Sequence, residues 1–288
     1  MKVLLTGSTG QVGYELARSL QGIGEVVAVD RKVMDLSDLD QVRDVIRREK
    51  PQLIVNPAAY TAVDKAESEP ELAHRVNAEA PGLMAQEAKL LGAAMVHYST
   101  DYVFDGSQPS ARVEDDATGP LNVYGASKLA GEQAIAAAGI PHLIFRTSWV
   151  YGMRGKNFLL TMLRLAKERD ELRVVADQHG APTWSRTIAD TTALVLSQAH
   201  AGGREWWVQN SGVYHLSAQG QTTWFEFTQA IVAAAGLECR VLPITSAEYP
   251  VPAKRPQYSV MSSERLMARF CHLPDWKDAL HLCMDSLP

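Results

Sequence analysis

Short apolar runs alternate with longer amphipathic stretches through the first half of the chain. Runs at residues 3–5, 26–29, 53–55, 94–97 and 143–145 read as buried strands, and the stretches 11–20, 39–48, 71–90 and 123–138 space their apolar residues as helices do. That β/α alternation predicts an α/β fold: a Rossmann-type doubly wound parallel sheet, covered on both faces, with right-handed crossovers. After Tyr151-Gly152 the rhythm loosens. A helix at 157–168, a strand at 172–175 and a helix at 186–198 follow, then a lone strand at 213–216 expected to return to the main sheet, and a helix at 224–235. Prolines in the stretch Tyr249-Pro250-Val251-Pro252-Ala253-Lys254-Arg255-Pro256 favour fixed, extended loops. The expected division is a dinucleotide-binding domain of residues 1–152 and 185–218, with a smaller, discontinuous substrate-binding lobe of residues 153–184 and 219–288.

Composition narrows the class. Of 288 residues, 46% are hydrophobic and 21% charged, the balance of a globular chain rather than a disordered one. A net charge of -5 with no basic run argues against nucleic acid, which rewards a basic surface. The apolar stretches are too short for a membrane span, and the first strand leaves no room for a signal peptide, so a cytoplasmic protein is expected. Cys239, Cys271 and Cys283 have neither zinc spacing nor an even count and read as reduced thiols.

The first strand runs into Thr6-Gly7-Ser8-Thr9-Gly10-Gln11-Val12-Gly13, glycines three apart. Gly7 permits a tight turn, Gly10 lets backbone approach a pyrophosphate, Gly13 allows close packing of helix on strand, and the helix N-terminus offers free N–H groups; Thr9, Gln11 and Val12 belong to the same loop. Asp30, seventeen residues beyond Gly13 and at the end of the second strand, is placed to accept hydrogen bonds from adenosine ribose hydroxyls, which favours NADH. Arg31 and Lys32 follow at once and suit a 2′-phosphate, which favours NADPH; the residues leave the two cofactors open. Asp35 and Leu36 would border the adenine, and Asn56-Pro57-Ala58-Ala59-Tyr60-Thr61 would line the cofactor.

At the other end, Tyr124 and Lys128 are four residues apart, hence on one helix face. An ammonium beside a phenol favours the phenolate, so Lys128 is expected to make Tyr124 the better acid or base near neutral pH. Thr100 follows the fourth strand, and the carboxyl ends of parallel strands form the ligand crevice. Its hydroxyl, with the Tyr124 phenol, would aim two donors at one developing alkoxide.

The glycine pattern, the hydroxyl residue after strand four and Tyr-x-x-x-Lys resemble the extended short-chain dehydrogenase/reductases, many of which act on nucleotide sugars. Asn56-Pro57-Ala58-Ala59-Tyr60-Thr61-Ala62-Val63-Asp64-Lys65-Ala66-Glu67, Tyr98-Ser99-Thr100-Asp101-Tyr102-Val103-Phe104, Arg146-Thr147-Ser148-Trp149-Val150-Tyr151, Asp177-Gln178-His179-Gly180-Ala181-Pro182-Thr183 and Arg255-Pro256 are similar to the dTDP-4-dehydrorhamnose reductase family across nearly the whole chain. The resemblance implies reduction of the 4-keto group of dTDP-6-deoxy-L-lyxo-4-hexulose, the last step to dTDP-L-rhamnose. It implies Tyr124 as proton donor, Thr100 as orienting group, and Lys128 as the residue that tunes Tyr124 and binds the nicotinamide ribose. It also implies Trp149 against the deoxysugar, Val63, Asp101 and Tyr102 facing the reacting sugar, and Gln178 and Arg255 from the second lobe, the arginine toward diphosphate.

Some members of that family form a dimer through magnesium held by glutamates. Glu15 matches one ligand, but Arg186 stands at a second position and Ser286, beside Asp285, at the third. Arginine offers no oxygen to a hard cation, so no metal site and a monomer are expected. Related 4,6-dehydratases need an Asp-Glu pair after the threonine, whereas Thr100 is followed by Asp101 and Tyr102. Another nucleotide-sugar reductase, a 4-epimerase, or a non-catalytic subunit resembling the regulatory β subunit of methionine adenosyltransferase are the alternatives.

Overall fold

Strand and helix alternate in the computed structural model, which describes residues 1–285. In chain order β1 (Lys2–Leu5), α1 (Gln11–Ser19), β2 (Glu25–Ala28), α2 (Leu39–Glu49), β3 (Leu53–Asn56), α3 (Val63–Ala66), α4 (Pro70–His74), α5 (Ala80–Leu91), β4 (Ala94–Thr100), α6 (Val123–Ala138) and β5 (His142–Thr147) come first. There follow β6 (Val150–Tyr151), α7 (Phe158–Glu168), β7 (Glu171–Val175), β8 (His179–Gly180), β9 (Thr183–Trp184), α8 (Ser185–Asn210), β10 (Gly212–His215), β11 (Thr222–Thr223), α9 (Trp224–Ala234), β12 (Arg240–Ile244), α10 (Glu264–Arg269) and α11 (Trp276–Met284). The main sheet has the order β10-β5-β4-β3-β1-β2, with every pairing parallel. The last strand, β10, does return to it beside β5, as expected.

Alternation along the strands divides the core. Val3, Leu5, Leu53, Val55 and Phe145 meet Leu16 of α1 and Ile188 and Val195 of α8 on one face. On the other, Leu4, Ile54, Met95 and Ile144 meet Val42 and Ile46 of α2, Met84 of α5 and Ile135 of α6. A third cluster gathers Leu159, Leu163, Leu172, Phe227, Ile231 and Leu280 from α7, β7, α9 and α11, away from the sheet.

Three elements depart from the pattern read in the sequence. The helix expected at 186–198 continues to Asn210, broken at Gly203 (φ 59°, ψ -145°), with Trp206 and Trp207 packed on the core. Strand β12 pairs in parallel with β7 although Pro243 and Arg240 hide its apolar character. The helix expected at 71–90 widens into a π turn at Arg75–Glu79 between α4 and α5. Pro81 has no N–H to give the Asn77 carbonyl, and a π turn absorbs such a gap. The Asn77 carbonyl instead meets α6, where a Cβ on Gly131 would come within 2.1 Å of it.

Candidate active site

The chain leaves β1 through Gly7, at φ +55°, and a Cβ on Gly13 would lie 2.1 Å from the Gly7 carbonyl oxygen. Glycine is therefore required at both positions. Gly10 caps α1 with no side-chain bond, which leaves first-turn N–H groups for an anion. This turn lies at one end of a cleft of about 970 Å³, with Thr9, Gln11 and Val12 also on its wall. The donor set and the close backbone approach fit a dinucleotide pyrophosphate.

Next along the wall stand Arg31, Met34, Asp35 and Leu36, then Ala58, Ala59 and Tyr60. Asp30 is differently employed: its Oδ1 accepts from the amides of Lys32 (2.9 Å) and Val33 (3.3 Å), closing the turn after β2. Arg31 is exposed and paired with Asp35 at 3.0 Å. Tyr60 donates to Glu69 at 2.7 Å, and its amide and carbonyl are held by Asn77 of the π turn (2.8 and 3.0 Å).

Thr100, Tyr124 and Lys128 do converge on the cleft. Asn122 caps α6 by accepting from the Gly125 amide at 2.8 Å, and a Cβ on Gly125 would lie 2.2 Å from the Tyr102 carbonyl. That close approach sets Tyr124 edge-on to Tyr102, with ring centroids 5.7 Å apart, and within hydrogen-bond reach of the Thr100 side chain. Burial pushes the Tyr124 phenol up to about 12, against the Thr100 bond and with help from Asp101. The activation expected from Lys128 does not appear: the phenol is raised rather than lowered, and the Lys128 Nζ lies 2.5 Å from the Tyr98 carbonyl oxygen and 3.2 Å from His97 Nε2. Burial brings Lys128 down to about 8, so it still carries its proton at neutral pH. Asp101 is raised to about 6 by burial; its Oδ1 accepts from the Thr100 hydroxyl at 2.9 Å.

Of the residues expected at the sugar, Asp101, Tyr102 and Trp149 line the cleft. Trp149 adopts φ +47° and stacks on Trp224, with centroids 3.5 Å and planes 6° apart, while a Cβ on Gly180 would fall 2.3 Å from its ring. Trp149 thus presents to the cleft a stacked pair of indoles rather than a lone ring. Trp224, Lys156 and Asn157 also line the cleft and carried no motif; their only signal lay in the loop and cap that begin α7 and α9.

The other three expected contacts lie off the cleft wall. Val63 begins α3. Gln178 accepts from Trp224 Nε1 (3.2 Å) and donates to Ser246 (2.9 Å), so it steadies the indole pair. Arg255 pairs with Asp64 at 2.8 Å, clamping the proline-rich segment on α3, while its buried Nη1 has no hydrogen-bond partner among the described residues. Glu15 and Arg186 both line a surface hollow between α1 and α8, where Arg186 faces Asp190 at 3.8 Å, and Ser286 lies outside the described residues.

Glycine loop, parallel sheet and the Thr100, Tyr124, Lys128 group place the chain in the class of extended short-chain dehydrogenase/reductases. A family model described as the RmlD substrate binding domain matches residues 1–288, and the chain belongs to that family. It is 52% identical over 299 residues to the dTDP-4-dehydrorhamnose reductase of Burkholderia thailandensis, covering 100% of this chain and 99% of that one. To the Escherichia coli K12 protein of the same name it is 44% identical over 298 residues, covering 100% and 98%. The solved structure of the Bacillus anthracis reductase in complex with NADP superposes with a TM-score of 0.92 at 36% identity, covering 99% of both chains. A Thermus thermophilus UDP-glucose 4-epimerase, at 22% identity and a TM-score of 0.82, shares the fold alone.

Proposed function

We propose that this chain catalyses the NAD(P)H-dependent reduction of the 4-keto group of dTDP-6-deoxy-L-lyxo-4-hexulose to dTDP-L-rhamnose. The observation that carries the reading is the half-buried, protonated Tyr124 phenol within hydrogen-bond reach of Thr100 in a cleft that also holds an uncapped glycine turn. Full-length similarity to dTDP-4-dehydrorhamnose reductases supports the substrate. The cofactor, when bound, supplies the hydride. The chain's part is to hold the carbonyl oxygen between Thr100 and Tyr124 and to give that oxygen the phenolic proton as charge develops. A phenol near 12 suits the task, because an alkoxide is more basic than a phenolate and draws the proton downhill. Lys128 would hold the nicotinamide ribose, and Asp101, Tyr102, Trp149 and Trp224 would surround the sugar. Arg255, which lies off the cleft wall and is paired with Asp64, would take a diphosphate oxygen only by turning its guanidinium into the cleft. The proposed division into a dinucleotide domain and a smaller lobe draws on the third apolar cluster, although Leu266 and Leu273 of the lobe pack into the core of the main sheet and Tyr151 and Ala218 into the third cluster.

Supplying the enzymatically made dTDP-4-keto-sugar with NADH or NADPH tests the reading. Stoichiometric loss of reduced cofactor with formation of dTDP-L-rhamnose is the expected result, whereas turnover without net cofactor loss would mark an epimerase. No oxidation with either cofactor would defeat the assignment.

The preferred cofactor is proposed to be NADPH, since Asp30 closes its own turn and the exposed Arg31 stands at the cleft wall. Arg31→Ala should raise the KM for NADPH about tenfold, in line with the loss of one charge-assisted bond, and leave that for NADH within about twofold. An equal rise for both would assign Arg31 to structure instead.

A further inference from the structure

Beneath the cleft, a row of polar side chains crosses the core of the sheet. Thr6, the residue after β1, Asn56, ending β3, and His97, inside β4, are 1%, 0% and 1% exposed. Asn56 and His97 are direct register partners, so their side chains share one face of the sheet. Thr6 Oγ1 lies 2.6 Å from Asn56 Oδ1, the Asn56 amide nitrogen 3.1 Å from His97 Nδ1, and His97 Nε2 3.2 Å from Lys128 Nζ. Three polar groups in a parallel-sheet core are costly unless each is bonded, so the row needs consistent donors and acceptors along its whole length.

That requirement fixes its direction. Lys128 donates, so Nε2 must present a lone pair; a neutral imidazole then carries its proton on Nδ1 and needs an acceptor there. As placed, Thr6 Oγ1 donates to Asn56 Oδ1 and the Asn56 nitrogen faces Nδ1; the amide oxygen and nitrogen are nearly isosteric, and a lone pair at Nε2 requires the reversed amide, its oxygen toward Nδ1 and its nitrogen donating to Thr6 Oγ1. The Thr6 oxygen also takes the amide of Ala58 (3.4 Å), a residue of the cleft wall. Imidazolium is disfavoured, because burial and the adjacent Lys128 hold His97 well below its usual range.

We propose that His97 is the positioning residue of Lys128: its Nε2 lone pair holds the ammonium, and the Asn56–Thr6 pair locks the tautomer that keeps that lone pair turned toward Lys128. His97 does not reach the cleft wall and acts only through the lysine. The charged and titratable groups about Lys128 are Tyr124 and Glu132 on α6, the latter held by Arg146 of β5 at 2.7 Å, His97 on β4, and Asp101 after it; the helix packed over α6 presents the neutral Asn77. Among the described residues, the sequence marks His97 by nothing more than a polar residue inside an apolar strand.

The inference rests on the reduction proposed above for its kinetic arm alone. Nitrogen-15 long-range correlation spectra of the cofactor-free protein at pH 7 should show His97 neutral with the proton on Nδ1; an Nε2–H tautomer or an imidazolium would overturn the proposal whether or not the chain reduces the sugar. In the kinetic arm, kcat/KM should fall as pH rises through about 8, where Lys128 loses its proton, since kcat/KM reports the free enzyme. His97→Leu removes an acceptor from the ammonium and should move that limb down by about one pH unit, in keeping with one lost charged hydrogen bond, with little change in the keto-sugar KM. His97→Gln, whose Oε1 reaches the Nε2 position, should restore the limb. If the leucine variant fails to fold, His97→Asn, which reaches Asn56 but not Lys128, should move the limb in its place. A folded variant of either kind with the wild-type limb would remove His97 from the reaction.

Discussion

Tyr124→Phe should lower kcat by about 10²- to 10⁴-fold while leaving NADPH affinity within about twofold of the parent, the range that one general acid supplies. The substitution keeps the ring and its edge contact with Tyr102, so the first turn of α6 stays where Gly125 places it. What disappears is the proton, together with one of the two groups on the carbonyl oxygen. Thr100 cannot replace it: an aliphatic hydroxyl is a far weaker acid than a phenol, and it orients the carbonyl oxygen only by turning its hydrogen from Asp101 to the substrate. Since the lost interaction grows as the alkoxide forms, kcat and kcat/KM should fall together, as steady-state kinetics with a parallel fluorescence titration of NADPH would show. Full activity in a folded, cofactor-binding variant would take Tyr124 out of the chemistry.

Gly13→Ala should weaken NADPH binding by about 10- to 100-fold and cost about 1–3 kcal/mol of stability, the usual penalty for forcing a methyl into a packed site. The new Cβ would meet the Gly7 carbonyl oxygen at 2.1 Å, its carbon at 2.7 Å and the Ser8 Cα at 3.1 Å, all of them backbone atoms that no rotamer change can move aside. Either α1 or the glycine turn must shift. The helix is pinned through Leu16 and Leu20 to the core beneath α8, so the turn yields, and the amides aimed at the pyrophosphate move with it. Gly10→Ala is the control for stability: its Cβ would find only the Gly7 oxygen, at 3.3 Å, and unfolding in urea should show little loss. Equal stability losses at the two positions would refute the packing argument.

The strands of the sheet were legible because each is a short run of large apolar residues, and the helices because both faces of that sheet demand amphipathic cover. The glycine turn was legible because strand, turn and helix follow one another with no room for another reading. Less visible was β12, in which Pro243 stands in an edge strand that needs only one partner, and the tail of α8, where two glycines precede Trp206. Within the site, residue types carried further than their partners did. Spacing put Tyr124 and Lys128 on one face but could not show that the Tyr98 carbonyl and His97 would draw the ammonium inward. Asp30 had the right place for a ribose contact, but spacing could not show that its Oδ1 also closes its own turn with two amides. Trp224 belongs to the cleft only because α9 begins there, a tertiary fact with no local trace.

The tight seat of Gly125 against the Tyr102 carbonyl, and of Gly131 against the carbonyl that Pro81 leaves unbonded, bears on how portable the reacting pair is. A tyrosine and a lysine grafted at the same spacing onto another helix would lack both recesses, and that helix would ride higher above its sheet. The pair would then be present in sequence and out of reach of any carbonyl beside Thr100. An engineer wishing to transplant this chemistry has to carry over two glycines and a proline as well.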